Sequence, residues 1–153
     1  YAVATGNPKN VDENDLCGLN VAVETGTVEE EAINKTAKQC KADGKKDITI
    51  QSSKQQTDAT TAVVTGKADV FFADSPVVGY AIAQTDGQLE QLGKGFDEVP
   101  NAIAIKKGDS QTTEAVQKAM QKLMDDGTYT KILQHWGVES GALDKAEINP
   151  AVE

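Results

Sequence analysis

The 153-residue sequence predicts an α/β fold with a mostly parallel sheet and helices on both faces, and three features carry that prediction. Segments of strand character alternate with segments of helical period, the pattern of strands joined by helical crossovers. The run Val70-Phe-Phe-Ala73 is apolar without interruption, as a central strand covered on both sides requires. No internal repeat or low-complexity segment points to another architecture.

Taken in order, strands are predicted at residues 2–5, 19–24, 47–51, 69–73 and 102–106, with a weaker one at 89–92. Helices are predicted at 28–41, 56–65, 76–84, 112–126 and 128–136. Gly26 lets the chain turn sharply out of the second strand, and Thr27 with Glu30 three residues later forms a capping box for the first helix. Ser75-Pro76 reads as an N-cap followed by proline at the first helical position. The helix at 112–126 gathers Ala115, Val116, Ala119, Met120, Leu123 and Met124 on one side, a packing stripe. Gly127 suits its left-handed stop, and Thr128 is placed to cap the next helix, which offers Ile132, Leu133 and Trp136 for packing. Residues 138–153 are polar and without period, as a segment running along a surface would be.

Composition narrows the function. A net charge of −9 disfavours nucleic-acid phosphates as partners. All fifteen basic residues are Lys, so no bidentate guanidinium clamp on a carboxylate comes from this chain. No apolar stretch approaches the ~18–20 residues that span a bilayer. Cys17 and Cys40 bracket a strand and a helix that each cover about 20 Å, so an antiparallel return brings the sulfurs together. A disulfide in an oxidising compartment follows, the alternative being two buried thiols in a reducing one. The spacing is not CxxC, and His135 is the only histidine, which leaves no zinc or redox site and no implied cofactor. His135 reads as a packing residue rather than a general base, and no GxSxG, Walker A, GxGxxG or HExxH motif occurs.

Two features converge on one crevice. Asp74 stands where the buried strand ends, and the carboxyl ends of strands line the ligand crevice in open α/β sheets. The free amides that open the helix after Gly26-Thr27 attract an anion. An anion-seeking helix end and a cation-seeking carboxylate on the same sheet together suit a free α-amino acid.

Four stretches share their order and spacing with one family: Asp15-Leu-Cys-Gly-Leu-Asn-Val-Ala-Val-Glu-Thr-Gly-Thr27, Thr65-Gly-Lys-Ala-Asp-Val-Phe-Phe-Ala-Asp74, Ala102-Ile-Ala-Ile-Lys-Lys-Gly-Asp109 and Asp126-Gly-Thr-Tyr-Thr-Lys-Ile132, the last running on into His135-Trp-Gly-Val138. Over residues 1 to about 138 the chain resembles the second lobe and C-terminal part of family 3 bacterial extracellular solute-binding proteins, the polar amino-acid receptors of ABC importers. The resemblance implies a type II periplasmic-binding fold and non-covalent binding by two lobes that close about a hinge. It implies that Gly26 and Thr27 form the turn at the ligand carboxylate, that the Val28 amide meets that carboxylate, and that Asp74 holds the ammonium. Some glutamine receptors carry a basic residue where this chain has Glu24, which makes Glu24 a candidate for setting a charge preference. Cysteines at the positions of Cys17 and Cys40 resemble those of Gram-positive lipoprotein members.

The resemblance also divides the chain. Residues 1–107 would be the ligand-binding lobe, with hinge strands at 1–5 and 102–106 paired to each other. Residues 108–153 would be a C-terminal helical segment that packs on an N-terminal lobe absent from this sequence. The sequence is then expected to begin inside a longer, exported protein, membrane-tethered as a lipoprotein or periplasmic, with an ABC permease as partner. Without the first lobe, self-association through the exposed helices is expected. Three other readings stand beside this one: a sensor or regulatory lobe of a receptor or cell-wall enzyme, a periplasmic dehydratase, which needs a positioned general acid, and a stand-alone interaction module that never had a first lobe.

Overall fold

The computed structural model describes residues 1–96 and 99–151. The chain divides into two compact units, residues 1–95 and 96–153.

The first unit holds a five-stranded sheet in the order β3-β2-β4-β1-β5. Its strands are β1 (Ala2–Ala4), β2 (Asn20–Glu24), β3 (Thr49–Ser53), β4 (Val70–Phe71) and β5 (Leu89–Gln91). Three helices, α1 (Val28–Ala42), α2 (Gln56–Val64) and α3 (Ser75–Gln84), connect them. β2 runs parallel to both β3 and β4, in register Val21 with Ile50 and Val21 with Val70. The sheet is less parallel than expected, because β1 lies antiparallel to both of its neighbours, β4 and β5. Val21, Val23, Val70 and Phe72 pack on one face with Ile33 and Cys40 of α1. Ala22 and Phe71 face the other way, against Ala59 and Val63 of α2 and Val78 and Ala81 of α3. Burial on both faces explains why the run at 70–73 carries no polar residue.

Cys17 and Cys40 are joined, with Cα atoms 5.7 Å apart across a separation of 23 residues. The bond ties the segment entering β2 to the last turn of α1. Both ends of that strand-helix pair are thereby fixed at the edge opposite the turn at Gly26.

The predicted strand at 102–106 does not form: residues 99–106 carry no regular secondary structure. Both edges of β1 are already occupied by β4 and β5, so no ladder is open there to a second hinge strand. The division after Gly95 also falls earlier than the boundary read from the sequence.

In the second unit, α4 (Ser110–Asp125) and α5 (Thr128–His135) form a helical hairpin, followed by a 3₁₀ turn at Glu139–Gly141. α4 begins at Ser110, not Thr112, and Asp109 caps it, its carboxylate accepting from the Thr112 amide at 3.0 Å. Gly127, with φ +77°, both ends α4 and stands as the N-cap of α5, so Thr128 is the first helical residue and not the cap. The polar tail is strapped to the hairpin. Gln117 Nε2 donates to the Ala146 carbonyl, the Ala146 amide donates to Gln121 Oε1, and the Leu143 amide donates to the Tyr129 hydroxyl.

Candidate functional site

The connections of β2 create the crevice. α1 leaves β2 on one face, whereas α2 and α3, which follow the neighbouring strands β3 and β4, lie on the other. Chains that part in opposite directions leave a gap at the carboxyl end of the middle strand. Glu24, Thr25, Gly26, Thr27 and Val28 occupy that end, with Asp74 on one side and Ser53, Lys54 and Gln55 on the other. The ladder between β2 and β4 reaches the Phe72 amide, which donates to the Ala22 carbonyl at 3.0 Å. Two residues further along each strand stand Asp74 and Glu24. The five ligand-contact candidates from the sequence are therefore on one edge, supplied by two adjacent parallel strands.

The turn itself is tightly built. Gly26 has φ +82°, a left-handed conformation that a side chain disfavours. The Thr27 hydroxyl accepts from the Glu30 amide at 3.2 Å and donates to the Glu24 carbonyl at 2.9 Å. The Glu30 carboxylate accepts from the Gly26 amide at 2.7 Å rather than from the Thr27 amide, so the capping box closes one residue earlier than the usual pattern. The Gly26 amide and a hydroxyl from Ser52 hold the Glu30 carboxyl below its ordinary range. Among the described residues, the Val28 and Glu29 amides have no acceptor, as the first positions of a helix do not. Val28 itself is 72% exposed, a large apolar side chain on the rim.

Asp74 is exposed, and it is the N-cap of α3 in place of the predicted Ser75. Its carbonyl accepts from the Val78 amide, yet its carboxylate makes no capping bond. Pro76, the second residue of the helix, carries no amide, which lowers the demand for a side-chain cap. Among the described residues nothing pairs with the Asp74 carboxylate, so it is available to a cation.

Sequence reasoning passed over two groups at this edge. Gln56, the first residue of α2, buries its Nε2 without a partner among the described residues. Glu29 is, among the described residues, the one buried charged side chain, 9% exposed, in the first turn of α1. Neither stands out in the sequence, because each sits among other polar residues. A partly open cavity of about 60 Å³, lined by Val3, Pro8, Val63 and Asp69 among others, is elsewhere, beside the start of β4. Its volume suits a water or two and not an amino acid.

Comparison with known proteins places the chain in a family. The model of the bacterial extracellular solute-binding proteins, family 3, matches residues 15–139. The arginine-binding protein ArgT of Corynebacterium glutamicum is 39% identical over 150 residues, which is 97% of this chain and 49% of that protein. The ABC transporter glutamine-binding protein GlnH of Bacillus subtilis is 31% identical over 85 residues, 56% of this chain and 31% of that protein. An ancestral cationic amino acid solute-binding protein, AncCDT-1, superposes with a TM-score of 0.72 at 27% identity, covering 89% of this chain and 56% of that structure. The chain thus spans about half the length, or less, of the curated relatives it matches. Type II periplasmic-binding architecture, the matched family model and the near end-to-end similarity to ArgT lead to one assignment: this chain belongs to the bacterial extracellular solute-binding proteins, family 3.

Proposed function

We propose that the chain is the second lobe and C-terminal segment of a receptor that delivers a polar amino acid to an ABC importer. The observation that carries this reading is the unpaired Asp74 carboxylate beside the open amides at the start of α1, on adjacent strands of one sheet. The α-ammonium sits on Asp74 and the α-carboxylate on the Val28 amide, within the turn that Gly26 and Thr27 shape. Glu24, at the end of β2, biases the site toward ligands with positive charge, in keeping with a relative named for arginine. A first lobe closes over the ligand and supplies the groups this lobe lacks, an arginine above all. The receptor works without catalysis, outside the cell or in the periplasm, tethered as a lipoprotein in a Gram-positive source. Separated from the first lobe, the segment binds amino acids weakly and self-associates through Ile132 and Trp136, which are 49% and 45% exposed.

The test is calorimetry on the two-lobe protein carrying this segment. Asp74→Asn is expected to weaken binding of the preferred amino acid by ~2–5 kcal/mol, because it removes the partner of a desolvated ammonium. An unchanged affinity would return Asp74 to a purely structural position at the head of α3.

A further inference from the structure

Among the described residues, Gln56 carries the one buried side-chain polar atom without a hydrogen-bond partner, its Nε2. A buried donor left without an acceptor weakens a fold, so its retention calls for a reason. Helix capping is not that reason. The N-cap of α2 is the exposed Gln55, whose side chain makes no capping bond. Gln56 instead lies three and seven residues before Ala59 and Val63, the buried stripe of α2 that packs with Ala22 and Phe71 of the sheet. Its amide is therefore on the sheet side of α2, one turn nearer the crevice than Ala59.

Glu24 reaches the same region from the sheet. Within β2, Val21 and Val23 pack with α1 and Ala22 packs with α2, so Glu24, the last residue of that strand, shares the α2 side. It stands in register with Ser53, three residues before Gln56. Its carbonyl accepts from the Thr27 hydroxyl, but its carboxylate has neither an ion pair nor a hydrogen bond among the described residues. A donor without an acceptor and an acceptor without a donor thus share one edge and one face of the sheet. Water serves an open carboxylate, but a ligand seated at the turn of residues 26–28 displaces water there, and the carboxylate then needs a protein donor. We propose that Gln56 is a positioning residue, whose Nε2 donates to the Glu24 carboxylate in the ligand-bound receptor. That bond fixes the end of β2, from which the ligand-contacting turn departs. Binding satisfies an amide that the lobe by itself leaves unpaired, so part of the affinity comes from relief of that cost. This inference rests on the amino-acid site proposed above.

The experiment is a double-mutant cycle on the two-lobe protein, titrated with whichever of the standard L-amino acids binds the wild type most tightly. Gln56→Met removes the amide at nearly constant length. Without ligand its melting temperature is expected to stay level or rise, because the lost amide had no partner. Its affinity should fall roughly 10-fold, the worth of a hydrogen bond to a charged acceptor. In a Glu24→Ala background the same change should cost less than about twofold. Thr57→Ala, an exposed change beside Gln56 in the first turn of α2, should leave affinity as it was. Gln56→Glu, which keeps the shape and removes the donor, takes the place of methionine if that variant does not fold. A lower melting temperature without ligand, at unchanged affinity, assigns Gln56 to the fold and overturns the inference. So does an affinity loss of full size in the Glu24→Ala background, or an equal loss in Thr57→Ala. Each of these leaves the amino-acid site standing. Failure of the wild type to bind any standard amino acid defeats the site as well as the inference.

Discussion

The first unit closes a core and the second does not, although the second has the more sharply amphipathic helices. Every buried apolar side chain among the described residues lies between Ala2 and Leu89. α4 and α5 bury no residue completely, and Ile103, Ile132, Trp136 and Leu143 remain between 45% and 61% exposed. A sheet supplies two faces, and each face accepts a helix whose stripe need not be perfect: Ala59, Val63, Val78 and Ala81 suffice against Phe71. A hairpin of two helices offers each stripe only one partner. Amphipathic period therefore makes a helix, but a second surface is needed to make a core.

The largest expected effect tests that difference directly. Phe71→Ala removes a ring with no exposed surface from the middle of the sheet and should cost ~3–5 kcal/mol. Leu123→Ala, at a half-buried place on the strongest stripe of the chain, should cost about 1 kcal/mol. Denaturation monitored by hydrogen exchange in each unit separates the two. Comparable losses would mean that the second unit has a core of its own.

The disulfide gives the next effect. Serine at both Cys17 and Cys40 should lower the stability of the first unit by about 3 kcal/mol, from the chain entropy of a 23-residue separation. Amides of α4 and α5 should exchange as before. Equal loosening of both units would show that they unfold as one and would erase the contrast.

Much of the fold, and the position of the candidate residues within it, is legible in the sequence. The alternation of strand and helix, the helices on both sheet faces, the Cys17–Cys40 bond and the placing of Glu24, Gly26, Thr27, Val28 and Asp74 on one edge follow from period, spacing and motif. What escapes the sequence depends on neighbours. Residues 102–106 have a strand's composition but no open edge to join. β1 runs antiparallel because its partners arrive from far along the chain, which no local pattern encodes. Asp74 rather than Ser75 is the N-cap of α3, a shift of one residue that periodicity does not resolve. Glu29 looks like any acid in a first helical turn, and only the packing of α1 on β2 distinguishes it from Glu31.

A smaller effect is expected at the turn where stability and binding meet. The Thr27 hydroxyl is fully engaged, donating to the Glu24 carbonyl and accepting from the Glu30 amide. Thr27→Ala should therefore cost ~0.5–2 kcal/mol of stability. Ligand contact through the Val28 amide should persist, so affinity in the two-lobe protein should change little. A large loss of affinity at an unchanged melting temperature would mean that the hydroxyl serves the ligand and not the cap.

The smallest effect is a pH window, and it again sets one unit against the other. In the first unit, the Gly26 amide, with the Ser52 hydroxyl adding to it, lowers the Glu30 pKa below its ordinary 4.5. In the second, Thr112 does the same for Asp109 and Thr128 for Asp126, each below an ordinary 3.8. A carboxyl whose folded pKa lies below its unfolded value contributes stability above the unfolded value and loses it as pH falls through the folded one. Each helix start should therefore loosen on acidification, α1 through Glu30 and α4 and α5 through their aspartates. Glu30→Gln should remove that acid dependence from the first turn of α1 alone, and Asp109→Asn should remove it from the first turn of α4 alone. Hydrogen exchange followed at several pH values below about 5 reads both turns in one sample, with the intrinsic exchange rate corrected at each pH. If Glu30→Gln also flattened the acid response of α4, the caps would be coupled through the whole chain, and the two units would behave as a single cooperative body.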